Sequence, residues 1–275
     1  MTSWGKEANW YDDYLSLEDS YQKQVIMPNL LRIASPLMNK NVLDLACGQG
    51  IFSEIFLNEG AVVTGVDISP ELIAIAKKRI INNSNKSKIN FIVSSAHKII
   101  ESGVKENYYD LAICVLASQN IKEFDVATKE IFKSLKKGGK LVIVLNHPCF
   151  RIPQKTDWYF DERGEPGGQD LSNQIVNGRK VGRFGRVVYG YMSEESIKID
   201  MHPGEKIKSK KSYTYSFHRP MQTYTKWLFN AGFYISRIEE WITHKNSTPG
   251  PKELADKKAK KEIPMFMCVE AIKFD

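Results

Sequence analysis

The chain has 275 residues, a hydrophobic content of 42% and a formal net charge of +7, which suits one globular domain with elaborations and excludes a disordered or membrane-spanning chain. Met1 to Trp10 lack the apolar run of a signal peptide. Cys47, Cys114, Cys149 and Cys268 stand without metal-ligand spacing and read as free thiols in the reducing cytoplasm. In chain order, Trp10, Tyr11, Tyr14 and Leu17, then Tyr21, Val25, Ile26 and Leu30, predict a helical segment ahead of the first strand.

Asn41 to Gly50 reads as a short apolar strand ending in a tight glycine turn, with Asp44 inside the strand and Gly48 and Gly50 at the turn. Ile51, Phe52, Ile55 and Phe56 then share one face of a helix. Strand, glycine turn and helix bring backbone N–H groups close to a nucleotide. The dinucleotide fingerprint G-x-G-x-x-G is incomplete, because Ser53 stands at its third glycine. The acid before the turn suits a ligand with a cationic head. Ala61 to Asp67 is a second strand, and its terminal Asp67 falls about twenty residues after Asp44, where such folds place an acid on ribose hydroxyls. Ser69 and Pro70 open the next helix as N-cap and first residue.

Ile89–Ser95 and Tyr109–Leu116 are the third and fourth strands. Phe124 to Lys137 is an amphipathic helix stopped by Gly138 and Gly139, and Lys140–Asn146 is the fifth strand. These continuous apolar runs, alternating with helices, predict a parallel sheet with right-handed crossovers. Residues 148–216 have little helical period and read as a long irregular insertion at the carboxyl end of a strand, where open α/β sheets bind ligands. A helix from Arg219 to Ala231, closed by Gly232, and strands at Phe233–Glu239 and Ile263–Phe274 follow, separated by a lysine-rich surface loop and short helix over 244–262.

V-L-D-L-A-C-G-Q-G at 42–50, G-V-D-I-S at 65–69 and L-K-K-G-G-K-L at 135–141 resemble the core motifs of class I S-adenosylmethionine-dependent methyltransferases, in the branch of ubiquinone-type and other small-molecule enzymes. The resemblance covers residues 40–147 strongly and 217–275 loosely. It implies a Rossmann-like, seven-stranded, mostly parallel sheet with helices on both faces, the last strand antiparallel. The expected organisation is one domain over 1–275: an N-terminal helical lid at 1–40, a cofactor-binding core at 41–147, a substrate-cap insertion at 148–216 and completing elements at 217–275.

The implied cofactor is S-adenosylmethionine, with S-adenosylhomocysteine as product. The resemblance assigns Asp44 to the ligand's ammonium, Ala46, Gly48 and Gly50 to the turn against it, Asp67 to both ribose hydroxyls and Ile68 to adenine. It places Ser95 where the family carries an acid near the adenine amino group, so recognition there leans on Ala96 backbone and packing. Leu116 lines the methionine end, and Tyr21 is the lid aromatic beside the cofactor. Methyl transfer is an in-line displacement that needs positioning, desolvation and, for some acceptors, a base. His147, directly after the fifth strand, is the candidate base; His97, His202 and His218 are weaker ones, each with a structural reading of its own.

Aromatics before the core and at Trp158, Tyr159 and Phe160 suit a planar or lipophilic acceptor. The expected reaction is O- or N-methylation of a small molecule. The rival readings are an RNA methyltransferase, for which Gly178 to Arg186 interleaves cations, glycines and Phe184, a non-catalytic cofactor-binding protein, and a nicotinamide enzyme.

Overall fold

The structure is a computed structural model, and it describes residues 18–161, 175–176, 179–180, 183–200, 213–250 and 252–274, with side chains undescribed over 162–183. A π-helical turn, Gln22–Ile26, runs into helix α1, Met27–Ala34. The core then alternates: β1 Asn41–Leu45, α2 Ile51–Asn58, β2 Val62–Asp67, α3 Pro70–Arg79, β3 Ile89–Val93, β4 Tyr109–Val115, α4 Phe124–Ser134 and β5 Leu135–Asn146. After an insertion come α5 Met221–Ala231, β12 Phe233–Trp241, α6 Glu253–Glu262 and β13 Phe266–Lys273, the insertion itself supplying β6 to β11.

The seven-stranded sheet has the order β12-β13-β5-β4-β1-β2-β3. β3, β2, β1, β4 and β5 pair in parallel, and β13 runs antiparallel to both β5 and β12. This is the expected Rossmann-like sheet, with the antiparallel strand inserted between two others. Alternation along each strand builds two cores, one per face. Val42, Leu111 and Ile113 face Phe56, Leu57, Ile73 and Ala76 on one side. Leu43, Leu45, Ala112 and Cys114 face Phe124, Ala127, Ile131 and Leu228 on the other.

Local chemistry sets several element ends. Ser69 caps α3 by accepting from the Leu72 N–H at 3.2 Å, with Pro70 in the first turn. Gly232, at φ +100°, closes α5 as expected. The end of α4 differs from expectation: the helix stops at Ser134, and Leu135 to Gly139 already belong to β5. Leu135 is fully buried and pairs with Tyr109. A Cβ on Gly139 would lie 2.8 Å from the Lys136 carbonyl and 3.1 Å from that of Tyr109, so Gly139 serves the close approach of β5 to β4 rather than a helix stop, while Gly138 supplies a left-handed φ of +73°.

The insertion is also more regular than expected. β6 Thr156–Asp161 pairs with β9 Arg183–Val188, β10 Glu195–Asp200 pairs with β11 Tyr213–His218, and the short β7 Ile175–Val176 pairs with β8 Arg179–Lys180, all antiparallel. Phe160 sits directly opposite Phe184, ring centroids 4.9 Å apart, and Trp158 opposite Arg186, which lies over its ring. Such cross-strand pairs stabilise a ribbon that lacks continuous apolar runs. Trp10, Tyr11, Tyr14, Leu17, His202 and the 206–211 lysines lie outside the described residues.

Candidate cofactor site

β1 lies between β2 and β4, so successive connections leave it toward opposite edges of the sheet. Open α/β sheets bind ligands at that switch point, beyond the carboxyl ends of the strands. Two adjoining cavities lie there, of about 390 and 130 Å³. They share Ala46, Asp67, Ile68, Asn120 and Ile121. Gly48 and Leu116 line the smaller one, and Ser95, Ala96 and His97 the larger.

The glycine turn is tied to its surroundings from both sides. Asp67, at the end of β2, accepts from the Gly48 N–H through Oδ2 and from the Ser69 N–H through Oδ1, each at 2.9 Å. The Cys47 N–H donates to the Val66 carbonyl at 3.0 Å, and that of Gly50 to the Cys47 carbonyl at 3.0 Å. Each Asp67 oxygen keeps a further lone pair for a ligand hydroxyl. Burial raises the Asp67 carboxyl above its ordinary range, while the N–H groups of Ser69, Gly48 and Ile68 pull it back.

The two glycines do different work. Gly48 has φ +55°, and a Cβ there would meet nothing within 4 Å, so its open side faces the cavity it lines. Gly50 has φ +77°, and its Cβ would lie 2.9 Å from that of Ala76 and 3.1 Å from the Phe91 ring. Gly50 therefore permits packing at the start of α2 rather than approach to a ligand. Ala46 and Leu116, at the ends of β1 and β4, take left-handed conformations at φ +56° and +53° without being glycine. Such strain costs about 1 kcal/mol or more per residue and clusters at functional sites.

Asp44 is buried, 2% exposed, beneath the turn. The Ser53 hydroxyl donates to its Oδ2 at 2.6 Å, and among the described residues no cation lies within ion-pair distance. Burial pushes the carboxyl up to about 7; the Ser53 bond pulls it down and the negative charge of Asp67 adds to the rise. Ser53, the residue that breaks the dinucleotide fingerprint, is thus the partner of the acid that replaces it. Ile68 is 59% exposed and lines both cavities, an apolar side chain held against open space.

Tyr21 and His147, like Gly50 and Asp44, stand outside the lining of both cavities. The Tyr21 hydroxyl bonds Thr243 Oγ1 at 3.0 Å, and its ring packs edge-on to His244 and Phe266. His147 is 1% exposed, and both ring nitrogens are committed. Nε2 bonds Glu240 Oε1 at 2.6 Å, and Nδ1 accepts from the Cys149 N–H at 3.2 Å. Burial lowers its pKa, partly offset by Glu240. These bonds shape the turn after β5 and leave no nitrogen for an acceptor proton. His218 likewise bonds the Tyr191 carbonyl at 2.8 Å.

Sequence reasoning missed part of the wall. Asn120, Ile121, Lys122 and Glu123, from the turn after β4, face the larger cavity, as do Tyr215 and Phe217 of β11. His97 Nδ1 lies 3.3 Å from Glu123 Oε2 across the same cavity. Tyr215 and Phe217 alternate along a short strand, a signal the sequence carries but only the β10–β11 pairing locates.

The residues present fit S-adenosylmethionine: an open-sided glycine turn, a carboxylate for a diol, an exposed apolar side chain for a purine face and a buried acid lacking a cation. Residues 43–143 match the family described as Methyltransferase domain. A ubiquinone biosynthesis O-methyltransferase of Nitrosospira multiformis is 26% identical over 130 residues, 47% of this chain and 52% of that protein. The chain spans about half the length of the curated relatives it matches. A putative S-adenosylmethionine-dependent methyltransferase of Listeria monocytogenes aligns over 90% of this chain and 97% of its own, with a TM-score of 0.61 and 24% identity. One of Mesorhizobium loti aligns over 92% and 100%, with a TM-score of 0.64 and 20% identity. At such identities the likeness shows the shared fold. Residues 43–143 thus carry the methyltransferase-domain match, on a fold shared with S-adenosylmethionine-dependent methyltransferases.

Proposed function

We propose that the protein transfers a methyl group from S-adenosylmethionine to a small-molecule acceptor, by O- or N-methylation. The observation that carries the reading is the Gly48–Asp67 bridge, which sets an open-sided turn and a carboxylate together on one pair of cavities at the sheet's switch point. When bound, the cofactor supplies a methyl group already activated by a positive sulfonium. The chain's own work is then binding and orientation. Asp67 accepts the ribose hydroxyls, Ile68 packs on adenine, Ser95 and Ala96 border its edge, and Asp44 balances the ligand's positive end from beneath the turn. Ala46, Gly48 and Leu116 present backbone toward the methionine portion.

An acceptor approaches from the β4 side of the smaller cavity, which Val115, Leu116 and Ala117 line. Its planar or lipophilic character rests on the aromatic content of the insertion. The similarity to ubiquinone biosynthesis O-methyltransferases supports a small molecule. Of the cations in the basic Gly178–Arg186 run, Arg186 gives an RNA acceptor no support. Arg186 donates to the Phe150 carbonyl at 2.9 Å and to Thr156 Oγ1 at 3.0 Å, and stacks on Trp158, so it is spent on packing. Among the described residues no helix is long and apolar enough to cross a membrane.

Calorimetry with S-adenosylhomocysteine and with NAD tests the cofactor, and transfer of labelled methyl into separate metabolite and RNA pools tests the acceptor. Saturable binding of S-adenosylhomocysteine alone, with label in the metabolite pool, supports the proposal. Binding of NAD instead, or label confined to RNA, overturns it.

A further inference from the structure

Arg219 stands at the joint between β11 and α5 and is 5% exposed. Its guanidinium donates from Nη1 to the Ser118 carbonyl at 3.2 Å. From Nη2 it donates to the carbonyls of Ile121 and Lys122, at 2.9 and 2.7 Å. It also lies over two rings, 5.2 Å from the centroid of Phe217 and 4.8 Å from that of Trp227. Among the described residues no carboxylate lies within ion-pair distance of it.

A buried cation without a counter-ion is costly to desolvate. Here carbonyl dipoles and ring faces take the place of water. The arrangement uses the flat fork of arginine, which reaches several carbonyls at once as a lysine ammonium cannot. What the fork grips belongs to the cavity: Asn120, Ile121 and Lys122 form one wall of it, and Tyr215 and Phe217 bring the insertion to another. Arg219 faces neither the cavity nor a reacting atom.

We propose that Arg219 is a positioning residue of the cofactor pocket, joining the insertion's aromatic strand to the turn after β4 so that both walls of the adenosine end are set as one unit. The proposal rests on reading that cavity as the cofactor site. It makes the insertion part of cofactor recognition as well as acceptor recognition.

Amide hydrogen exchange and calorimetry on the full chain test it, using Arg219→Ala and Arg219→Lys. In Arg219→Ala, residues 118–122 and 213–218 should lose protection together while β1 keeps its own. The Kd for S-adenosylhomocysteine should rise about tenfold, the order expected for losing charged hydrogen bonds that position a ligand wall. Millimolar guanidinium should restore part of that affinity in Arg219→Ala and leave the wild type unchanged. Arg219→Lys, which keeps the charge and loses the fork, should fold and still bind weakly. Loss of protection in only one segment or in neither, wild-type affinity in either variant, or a loss that guanidinium does not relieve would overturn the proposal. If Arg219→Ala fails to fold, exchange and affinity in Arg219→Lys decide. If the wild type binds no S-adenosylhomocysteine, the methyltransferase reading fails, and exchange alone decides whether Arg219 joins the two segments.

Discussion

Asp44 and Asp67 end up beside one turn with opposite arrangements around them. Asp67 is fixed by two backbone N–H groups, so its charge is already oriented when a diol arrives. Asp67→Ala should therefore weaken S-adenosylhomocysteine binding at least about tenfold, read by calorimetry; unchanged affinity would remove the ribose assignment. Asp44 has one hydroxyl partner and a carboxyl raised to about 7. In the unfolded chain such a group titrates near about 4. Between those values the native state holds a proton that the unfolded state has lost, so this group costs stability as pH rises through the window. Asp44→Asn should gain on the wild type across that window and level off above it, measured as urea midpoints. A ligand ammonium favours the ionised acid, so S-adenosylhomocysteine should bind more tightly as pH rises through about 7, and Asp44→Asn should flatten the trend. Both acids were legible as positions in the sequence, Asp44 in the strand before the glycine turn and Asp67 at the end of the next strand before the Ser69–Pro70 cap. The role of Ser53 was not, since nothing in its spacing from Asp44 distinguishes a missing glycine from a buried hydrogen-bond donor.

Element boundaries show where local signals stop. The Ser69–Pro70 cap and the Gly232 terminator act within one turn of helix, and both were readable. Gly138 and Gly139 carry the same local signature as a helix stop, yet a strand neighbour claims Gly139. The contact with Tyr109 is remote in sequence, so only the folded sheet reveals it. The paired ribbons of the insertion were hidden for a similar reason: their strands are short and hold together through cross-strand rings instead of apolar runs. At the start of α2 the two turn glycines should separate experimentally. Gly50→Ala should cost about 1–3 kcal/mol in urea unfolding, because its Cβ collides with Ala76 and Phe91 in a left-handed conformation. Gly48→Ala should cost about 1 kcal/mol from its backbone angle alone, but reduce S-adenosylhomocysteine affinity by a larger factor than Gly50→Ala does. Equal losses of affinity in the two variants would refute this division of labour.

On the scale of the molecule, strand order decides which residues meet. The switch point follows from β1 lying between β2 and β4; the alternation of strands and helices implied a parallel sheet but not that order. The return of Tyr215 and Phe217 over the sheet's carboxyl rim did not follow from any pattern, because antiparallel ribbons carry no fixed crossover rule. The position of β13 has a consequence for biosynthesis. Residues 266–273 form hydrogen bonds to strands on both sides, so while a ribosome is still adding them β5 ends in an unpaired edge and β12 has no partner. Bare edges of this kind template aggregation. A released chain truncated just before Phe266 should be protease-sensitive and captured by chaperones, whereas one that extends through Lys273 should be resistant.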